Sequence, residues 1–468
     1  MKENCILINK KDNVAVELKG NEKIPAGHKF AVKDIKKGEY VIKYGEIIGK
    51  ATSDIKAGEW VHTNNVRSHL DEACEYSYDY SAMNVQPEKG TFMGYRRKIG
   101  RAGIRNDIFI IPTVGCVNNV CKILEEKAQK FIKGSIDGIF ALTHQFGCSQ
   151  LGDDNVNIKK LLSSVALNPN ASYVLIVGLG CENNGLEGMK EYLAPFNRDN
   201  IEFFNCQGVG DEIEYGLKIL EAFSEKAAGL KREEISLDEL CIGLKCGGSD
   251  GYSGLTANPL VGRITDRIVA AGGSAVLTEV PEMFGAEQLL MNKCASEEVY
   301  DAYKKMITDF KNYYTDNGFP VYENPSPGNK KGGITTLEEK SLGCVEKAGK
   351  TKIVDVLGYG DVVKKTGVSV LNAPGNDLIA ATALAAAGCQ IVLFTTGRGT
   401  PFSTFVPTMK ISSNSALANF KSNWIDFDAY GMDEKGLYEL LIDACTGKYR
   451  CKSEKYREIA FYKTGVTL

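Results

Sequence analysis

The chain has 468 residues, which is too long for one ordinary domain and favours about three domains at roughly 150 residues each. Hydrophobic residues make up 43% and charged residues 25%, a globular composition that argues against a disordered or fibrous protein. The formal net charge of −3 offers no basic field for nucleic acid or anionic lipid, so we expect a small-molecule partner, no nucleic acid and no membrane.

Residues 1–70 are predicted to form a small all-β domain. Short β-type runs such as NVAVEL and YVIKYGEIIGKA alternate there with the turns KKGE and KAGE, and helical periodicity is almost absent. The chain starts without the apolar stretch of a signal peptide, which predicts a cytoplasmic protein. The polar, aromatic-rich residues 71–95 lack any period and are predicted to be a linker.

The rest of the chain is predicted to be α/β, with a parallel-sheet, Rossmann-like body of two subdomains. Apolar runs such as DIFIIP and SYVLIVG alternate with amphipathic helical segments, as in a parallel sheet with crossover helices. The Pro/Gly-rich segment YENPSPGNKKGGIT interrupts this pattern, so we predict a central domain over 96–330 and a carboxy-terminal domain over 331–468. The apolar window DLIAATALAAAGCQIVLFTTG contains Asp377 and a break at Gly388, which indicates helix, turn and strand rather than a membrane span.

Four of the predicted strands end in loops that combine glycine with one cysteine. These loops are PTVGCVNN (Cys116), THQFGCSQ (Cys148), VGLGCENN (Cys181) and KCGGSDG (Cys246). Because the carboxyl ends of parallel strands meet at one edge, their thiols are expected to gather in one site with His144, Glu182 and Asp250. A buried core position is the alternative for each single cysteine.

Neither nucleotide-like motif is interpreted as a nucleotide site. VGLGCEN begins like a dinucleotide fingerprint, but Asn183 replaces its third glycine. GCVEKAGKT resembles a phosphate loop, but five residues separate Gly343 from Gly349 where that motif has four.

The chain has only four histidines, so few positions can supply an imidazole. His28 and His62 lie near turns of the β domain, where metal ligation and a capping role are both open. His144 ends an apolar strand beside Cys148, where it is either an acid, base or ligand or a buried core histidine. His69 is expected to be solvated.

Three cationic loops are candidate substrate-binding segments, and the two of them that combine glycine, hydroxyl and cation, SPGNKKGG and TTGRGTP, are typical of a site for a polyhydroxylated anion. The third loop is GYRRKIGRAGIRN, and arginine forks suit carboxylates. A solvated face or simple turns are the alternatives.

Taken together, these motifs and several others make the chain recognisable. GYRRKIGRAGIRN, GCSQLGDD, GLGCENN, CGGSDGYSGLTANP, LTEVPEMFGAEQLL, NPSPGNKKGGITTLEEKSLGC, TTGRGTPFSTFVPTMKISSNS and the terminal KTGVTL resemble the altronate and galactarate dehydratase family over nearly the whole chain. GHKFAVKDIKKGEYVIKYGEIIGKA resembles the SAF-type β-clip domain at the start of these enzymes.

The resemblance implies a hydro-lyase that uses iron(II), replaceable by manganese(II), to remove water from a hexonate and form 2-keto-3-deoxygluconate. It assigns His28 and His62 to the metal, although Asn64 stands where the family often has a second histidine. The expected catalytic residues are His144, Cys148, Glu182, Cys246 and Asp250. The expected substrate-binding residues are Arg97, Arg105, Ser249, Asn329, Lys330 and Arg398.

Several alternatives stay open at this point. The substrate is altronate or a related acid such as galactarate or a sulfonated hydroxy acid. An iron–sulfur cluster on Cys116, Cys148, Cys181 and Cys246 is an alternative to a single iron ion. A non-enzymatic binder of sugar acids is a third hypothesis, and the choice between monomer and homo-oligomer is open.

Overall fold

The computed structural model describes residues 4–70 and 76–468, so residues 71–75 of the predicted linker lie outside the described residues. The predicted class is confirmed: parallel α/β sheets form the body, and a small β domain precedes them. No helix of the described residues is long and apolar enough to cross a membrane.

The amino-terminal domain contains two small antiparallel sheets, of order β1-β2-β3-β6 and β4-β5-β7. The KKGE and KAGE turns hold Gly38 and Gly58 at φ near +86° and +85°, a conformation that side chains disfavour. The strands are β1 (Cys5–Ile6), β2 (Val14–Glu17), β3 (Lys29–Ala31), β4 (Tyr40–Lys43), β5 (Glu46–Ala51), β6 (Trp60–Val61) and β7 (Val66–Arg67).

Residues 76–90 run along the body without regular structure. The Tyr78 hydroxyl donates to the Cys294 carbonyl (2.6 Å), and the Met83 amide donates to the Lys350 carbonyl (2.9 Å). The segment ends in strand β8 (Thr91–Gly94). Both of these hydrogen bonds therefore join the segment to the body.

The first sheet of the body is fully parallel and has the order β10-β9-β11-β12. Every residue of β9 is buried, which explains its continuous apolar run. The strands are β9 (Asp107–Pro112), β10 (Gly138–Ala141), β11 (Ala171–Gly178) and β12 (Ile201–Asn205). The helices are α1 (Asn118–Ala128), α2 (Gly152–Ala166), α3 (Leu186–Leu193) and α4 (Glu212–Ala228).

The second sheet has seven parallel strands in the order β16-β17-β15-β14-β18-β19-β20, and β13 (Glu233–Ser236) pairs separately with β8. Its strands are β14 (Cys241–Cys246), β15 (Ser274–Leu277), β16 (Ile353–Leu357), β17 (Gly367–Leu371), β18 (Ile391–Thr396), β19 (Thr408–Ser412) and β20 (Phe427–Asp428). Residue 330, the predicted domain boundary, lies within the stretch of chain that builds this one sheet, and the change of sheet comes between β12 and β14.

Eight helices accompany these strands. They are α5 (Ala257–Ala270), α6 (Glu287–Met291), α7 (Glu297–Asp316), α8 (Pro327–Lys331), α9 (Leu337–Val345), α10 (Asp377–Ala386), α11 (Ser415–Phe420) and α12 (Glu434–Thr446). The apolar window noted in the sequence forms α10, a turn at Gly388 and β18, as predicted.

The carboxyl edges of the two sheets open on the same side of the body. Helix α2 of the first sheet packs beside α10 of the second. Asn168, just after α2, donates to the carbonyls of Ala385 (2.8 Å) and Cys389 (3.1 Å) at the end of α10. The two helices therefore run in the same direction, and so do the strands that they follow.

A buried ion triad joins the β domain to the body. The ammonium groups of Lys29 and Lys43 lie 2.7 and 2.8 Å from the two carboxylate oxygens of Glu339 on α9, with all three side chains at most 2% exposed. Burial alone raises the pKa of Glu339, but the two lysines outweigh it and hold this pKa at about 2. The carboxylate is thus charged at neutral pH and holds two buried cations.

Replacement of Glu339 by glutamine leaves two buried ammonium groups without a counter-charge. We expect the E339Q variant to lose about 3–5 kcal/mol of unfolding free energy in urea titrations, the usual cost of breaking a buried ion pair. The control is E214Q, which removes only the exposed Lys218 pair and is expected to change stability little. Equal stabilities for the two variants would contradict the triad's role.

Candidate functional site

A buried group of thiols and carboxylates lies where β14 ends. The Cys246 sulfur lies 3.3 Å from the Cys344 sulfur and 3.2 Å from Oε2 of Glu282, and Cys344 lies 3.3 Å from the same oxygen. Cys246 ends a central strand, Cys344 lies on α9, and Glu282 follows β15. Residues that are far apart in sequence therefore form one triad.

Three lysines surround this triad. The Lys347 ammonium lies 2.9 Å from the Cys246 sulfur, and the Lys340 ammonium lies 2.6 Å from Oε1 of Glu282. Lys245 lies 2.5 Å from Oε1 of Glu279, whose other oxygen is 3.4 Å from the Cys246 amide. Four acidic side chains and three ammonium groups thus share one desolvated volume.

The charges of this cluster depend on these contacts. The hydrogen bond from Cys344 lowers the pKa of Cys246 to about 6, against the effect of burial. Burial would raise the pKa of Glu282, but Lys340, Lys245 and Lys347 together hold it at about 2. Burial and the Glu282 charge raise the pKa of Glu279.

Glu279 also has a strained backbone. Its φ of +73° lies in the left-handed region, which non-glycine residues rarely adopt and which is common at functional sites. Its carboxylate lies at the strand end of β14, where it contacts Cys246 and Lys245.

The triad has the donor chemistry of a metal site. The ligand atoms of Cys246, Glu282 and Cys344 lie within 4.8 Å of one another, and the described residues contain no second group of three His, Cys, Asp or Glu side chains so close. Thiolate and carboxylate donors suit divalent transition metals such as zinc and iron. A cation here would compete with the Lys347 ammonium for the Cys246 sulfur.

His28 and His62 lie together at the inner face of the β domain. Their ring centroids are 5.1 Å apart, and His62 stacks on Trp60. Nδ1 of His28 accepts from the Trp60 indole (3.2 Å), and Nδ1 of His62 lies 3.2 Å from the Thr335 hydroxyl. Burial lowers the pKa of His62 to about 4, so it is neutral at pH 7. A third His, Cys, Asp or Glu ligand is not beside them within the described residues, so their metal role stays a prediction.

The loop of residues 244–259 meets the glycine-rich loop of residues 326–333. The Asn329 amide donates to the Ser249 carbonyl (2.8 Å), and the Gly251 amide donates to the Gly332 carbonyl (2.7 Å). A side chain at Gly328 would lie 3.5 Å from the Arg398 guanidinium. One group of contacting loops therefore contains Ser249, Asp250, Asn329, Lys330 and Arg398, and the substrate-binding and catalytic roles of these residues stay predictions.

Asp250 acts as the structural centre of these loops. Its carboxylate accepts hydrogen bonds from Ser253 (2.9 Å), Ser413 (2.7 Å) and Asn414 (2.9 Å), and burial raises its pKa. Gly251 has no room for a side chain, because an added Cβ would lie 1.9 Å from the Gly27 carbonyl oxygen of the β domain. The catalytic role predicted for Asp250 stays a prediction.

A cavity connects these loops with the thiol cluster. It is lined by residues of all three regions, including Lys43, Ser249, Asp250, Glu339, Lys340 and Cys344, and it measures only ≈ 10 Å³. This volume holds about one water molecule.

Three predicted catalytic residues lie instead at the carboxyl edge of the first sheet. Nε2 of His144 donates to the Pro112 carbonyl (2.7 Å), and its Nδ1 accepts from the Phe146 amide (3.1 Å). The Glu182 carboxylate accepts from the Thr113 hydroxyl and from the amides of Leu179 and Gly180. Cys148 is exposed there. His144 and Glu182 thus brace loops of this edge.

Arg97 and Arg105 make structural contacts. Arg97 is buried and donates to the carbonyls of Pro169 (2.8 Å) and Arg105 (2.7 Å). The Arg105 guanidinium is fully buried and forms a two-point pair with Glu454 (2.8 and 3.0 Å). Their hydrogen bonds hold the backbone of the body, and substrate binding by either stays a prediction.

Several residues of the cluster were missed at the sequence level. Glu279 and Glu282 lie in LTEVPEMFGAEQLL, and Lys340, Cys344 and Lys347 lie in LEEKSLGCVEKAGK. Charged residues among apolar ones gave a signal in LTEVPEMFGAEQLL, whereas LEEKSLGCVEKAGK is rich in charge and gave no such signal. Both Cys344 and Lys347 lie in GCVEKAGKT, the segment whose glycine spacing does not match a phosphate loop.

The buried His144 is expected to make stability depend on pH. Burial lowers its pKa from 6.5 to about 4, so the unfolded chain binds the proton first as pH falls. The contribution of His144 to the unfolding free energy is fully present above about pH 6.5. About 2 kcal/mol of it is lost when the pH falls to 4.5. Urea titrations at both pH values should show a smaller loss for H144Q than for the unmodified protein; an equal loss would contradict the assignment.

Comparison with known proteins places the chain in a family. Models of this family match residues 17–69 (Altronate/galactarate dehydratase SAF domain), 94–228 (D-galactarate dehydratase/Altronate hydrolase, second domain) and 237–467 (D-galactarate/Altronate dehydratase, C-terminal). Altronate dehydratase of Bacillus subtilis (strain 168) is 48% identical over 99% of both chains. Altronate dehydratase of Escherichia coli (strain K12) is 48% identical over 98% of this chain and 94% of the relative. Galactarate dehydratase (L-threo-forming) of Escherichia coli (strain K12) is 32% identical over 96% and 94%. The chain belongs to the altronate and galactarate dehydratase family.

Proposed function

We propose that this protein is a hydro-lyase that removes water from D-altronate to give 2-dehydro-3-deoxy-D-gluconate. The observation that carries this proposal is the 48% identity to two altronate dehydratases over nearly the full length of all three chains. Galactarate is the second candidate substrate, supported by the more distant relative at 32% identity. A small sugar acid is the proposed partner, in the cytoplasm; self-association stays a prediction.

The reaction begins at a weakly acidic position. The proton α to a carboxylate is hard to remove, so the site must supply a base and must stabilise the negative charge that develops on the carboxylate. We propose that Cys246, Glu282 and Cys344 hold a divalent metal, iron(II) or, as a substitute, manganese(II). When bound, the metal polarises the substrate's oxygen atoms and assists departure of the hydroxyl group.

The chain's own groups supply charge and hydrogen bonds. Lys340 lines the cavity and carries a positive charge into it, which suits the substrate carboxylate. The Ser249 hydroxyl is buried and has no hydrogen-bond partner within the described residues, so a substrate hydroxyl would satisfy it. We assign Asn329, Lys330 and Arg398 to the same face of the site, with the neutral imidazoles of His28 and His62 on its β-domain side.

The first test concerns metal and substrate. Protein purified without oxygen and supplied with ferrous ion is expected to release a 2-keto-3-deoxy acid from D-altronate faster than from galactarate. Removal of the metal by a chelator should abolish this activity, because the negative charge that develops on the substrate is then no longer stabilised. Added ferrous ion should restore the activity. Activity that is unaffected by the chelator contradicts the metal, and turnover of galactarate alone contradicts the substrate.

The second test concerns the triad. The variants C344S and E282Q are expected to lower kcat by about 100-fold or more, the usual loss on removing one group that stabilises developing charge. Both should also retain less iron after gel filtration, measured by atomic absorption.

The matched control for this test is C389S. Cys389 is buried like Cys344 and also lies beside another cysteine, since its sulfur is 3.7 Å from that of Cys241, but it lies outside the triad. It should keep both iron and activity. If C389S and C344S lose iron equally, the proposed ligand set is wrong.

A further inference from the structure

The first sheet has a topological switch point of its own. Its order β10-β9-β11-β12 places the first strand of the unit inside the sheet, so the connections from β9 and β11 leave on opposite faces. In open parallel sheets, the crevice beyond the carboxyl ends at such a point is where ligands bind. The loops at this crevice carry Cys116, Cys148 and Cys181.

The three loops are tied to one another. The Gly115 amide donates to the Phe146 carbonyl (2.9 Å), and the Asn118 side chain donates to the His144 carbonyl (2.6 Å). These bonds join the loop after β9 to the loop after β10. The turns Gly115-Cys116 and Gly147-Cys148 therefore stand side by side along the edge.

The third loop is joined to the same pair. The Asn184 amide donates to the Gly147 carbonyl (3.0 Å), and its side chain donates to the Thr113 carbonyl (3.1 Å). The Ser149 amide donates to the Asn183 side chain (3.0 Å). Asn118 and Asn184 are the fourth and fifth residues of two copies of the sequence Gly-Cys-x-Asn-Asn, and each braces a neighbouring loop.

The exposure of these thiols is unusual for cysteine. Cys116, Cys148 and Cys181 are exposed, and every other cysteine in residues 4–70 and 76–468 is buried or half-buried. Cysteine is one of the most frequently buried residue types, so packing does not explain three exposed thiols at one sheet edge. His144 and Glu182 beside them are engaged in hydrogen bonds to the backbone and to Thr113, whereas the three cysteines are exposed.

We propose that Cys116, Cys148 and Cys181 bind a [4Fe–4S] cluster through three thiolates, with one iron open to the crevice. Soft thiolate ligands select iron–sulfur clusters, zinc or copper(I). The three loops follow the adjacent strands β10, β9 and β11, and strands about 4.8 Å apart spread their thiols more widely than one ion needs, which suits a polynuclear centre. This site is separate from the triad at Cys246 and goes beyond the proposed dehydration.

Two other cysteines are excluded as ligands. Cys246 is fully buried in the second sheet against Cys344, so it does not serve as the fourth ligand that the sequence suggested. Cys206 follows β12 at the same edge but packs against the apolar core below it. Burial raises the pKa of Cys206 to about 11, which disfavours its thiolate.

The test uses the full-length protein, purified without oxygen and reconstituted with ferrous iron and sulfide. We expect about four sulfide ions per chain, the content of a [4Fe–4S] cluster, with broad visible absorbance that bleaches on reduction. The variants C116S, C148S and C181S should each lose most of the sulfide and the absorbance. Serine at these exposed positions does not disturb the core, and thermal unfolding should confirm that the variants are folded.

The matched control is C206S, which replaces the half-buried cysteine at the end of the fourth strand and should keep the cluster. Absence of bound sulfide in the reconstituted unmodified protein overturns the proposal, as does loss of sulfide from C206S equal to that from C181S. The amount of bound sulfide is a readout that does not depend on enzymatic activity. A protein that dehydrates altronate with ferrous ion but binds no sulfide would refute the cluster and leave the proposed function intact.

Discussion

The contact on which the site depends is the buried carboxylate of Glu339 between Lys29 and Lys43. It fixes the β domain against α9, the helix that also carries Lys340 and Cys344. Because all three groups are desolvated, separation of the domains would leave charges unpaired in a low dielectric. The same contact holds His28 and His62 over the glycine-rich loop. A small domain without a large core of its own is thereby oriented on the body by charge as well as by packing.

The thiol cluster has the same physical character. Burial disfavours every charge in it, yet Lys340 and Lys347 lie against Glu282 and Cys246 and keep both acids ionisable. A dry volume with balanced charges suits chemistry in which negative charge develops on a substrate, since fixed dipoles and charges act strongly there.

The residues that were predicted to form one site lie in two groups, because they belong to the carboxyl edges of two different sheets. The sequence pattern placed cysteines at four strand ends, and all four do lie at carboxyl edges. However, Cys246 belongs to the seven-stranded sheet, whereas Cys116, Cys148 and Cys181 belong to the four-stranded one. Because α2 and α10 run in parallel, both edges open on the same side of the body.

The sequence by itself determined the α/β class, the amino-terminal β domain, the strand-end loops and the family, because hydrophobic periodicity and motifs are local properties. Only the tertiary structure decided that β14 and β15 share a sheet with strands beyond residue 330, since strand order depends on packing between distant segments. It also decided that Arg97 and Arg105 bond to the body's backbone and Glu454, and that Cys344 and Glu282 meet Cys246. A side chain's partners follow from burial in three dimensions, which spacing along the chain does not encode.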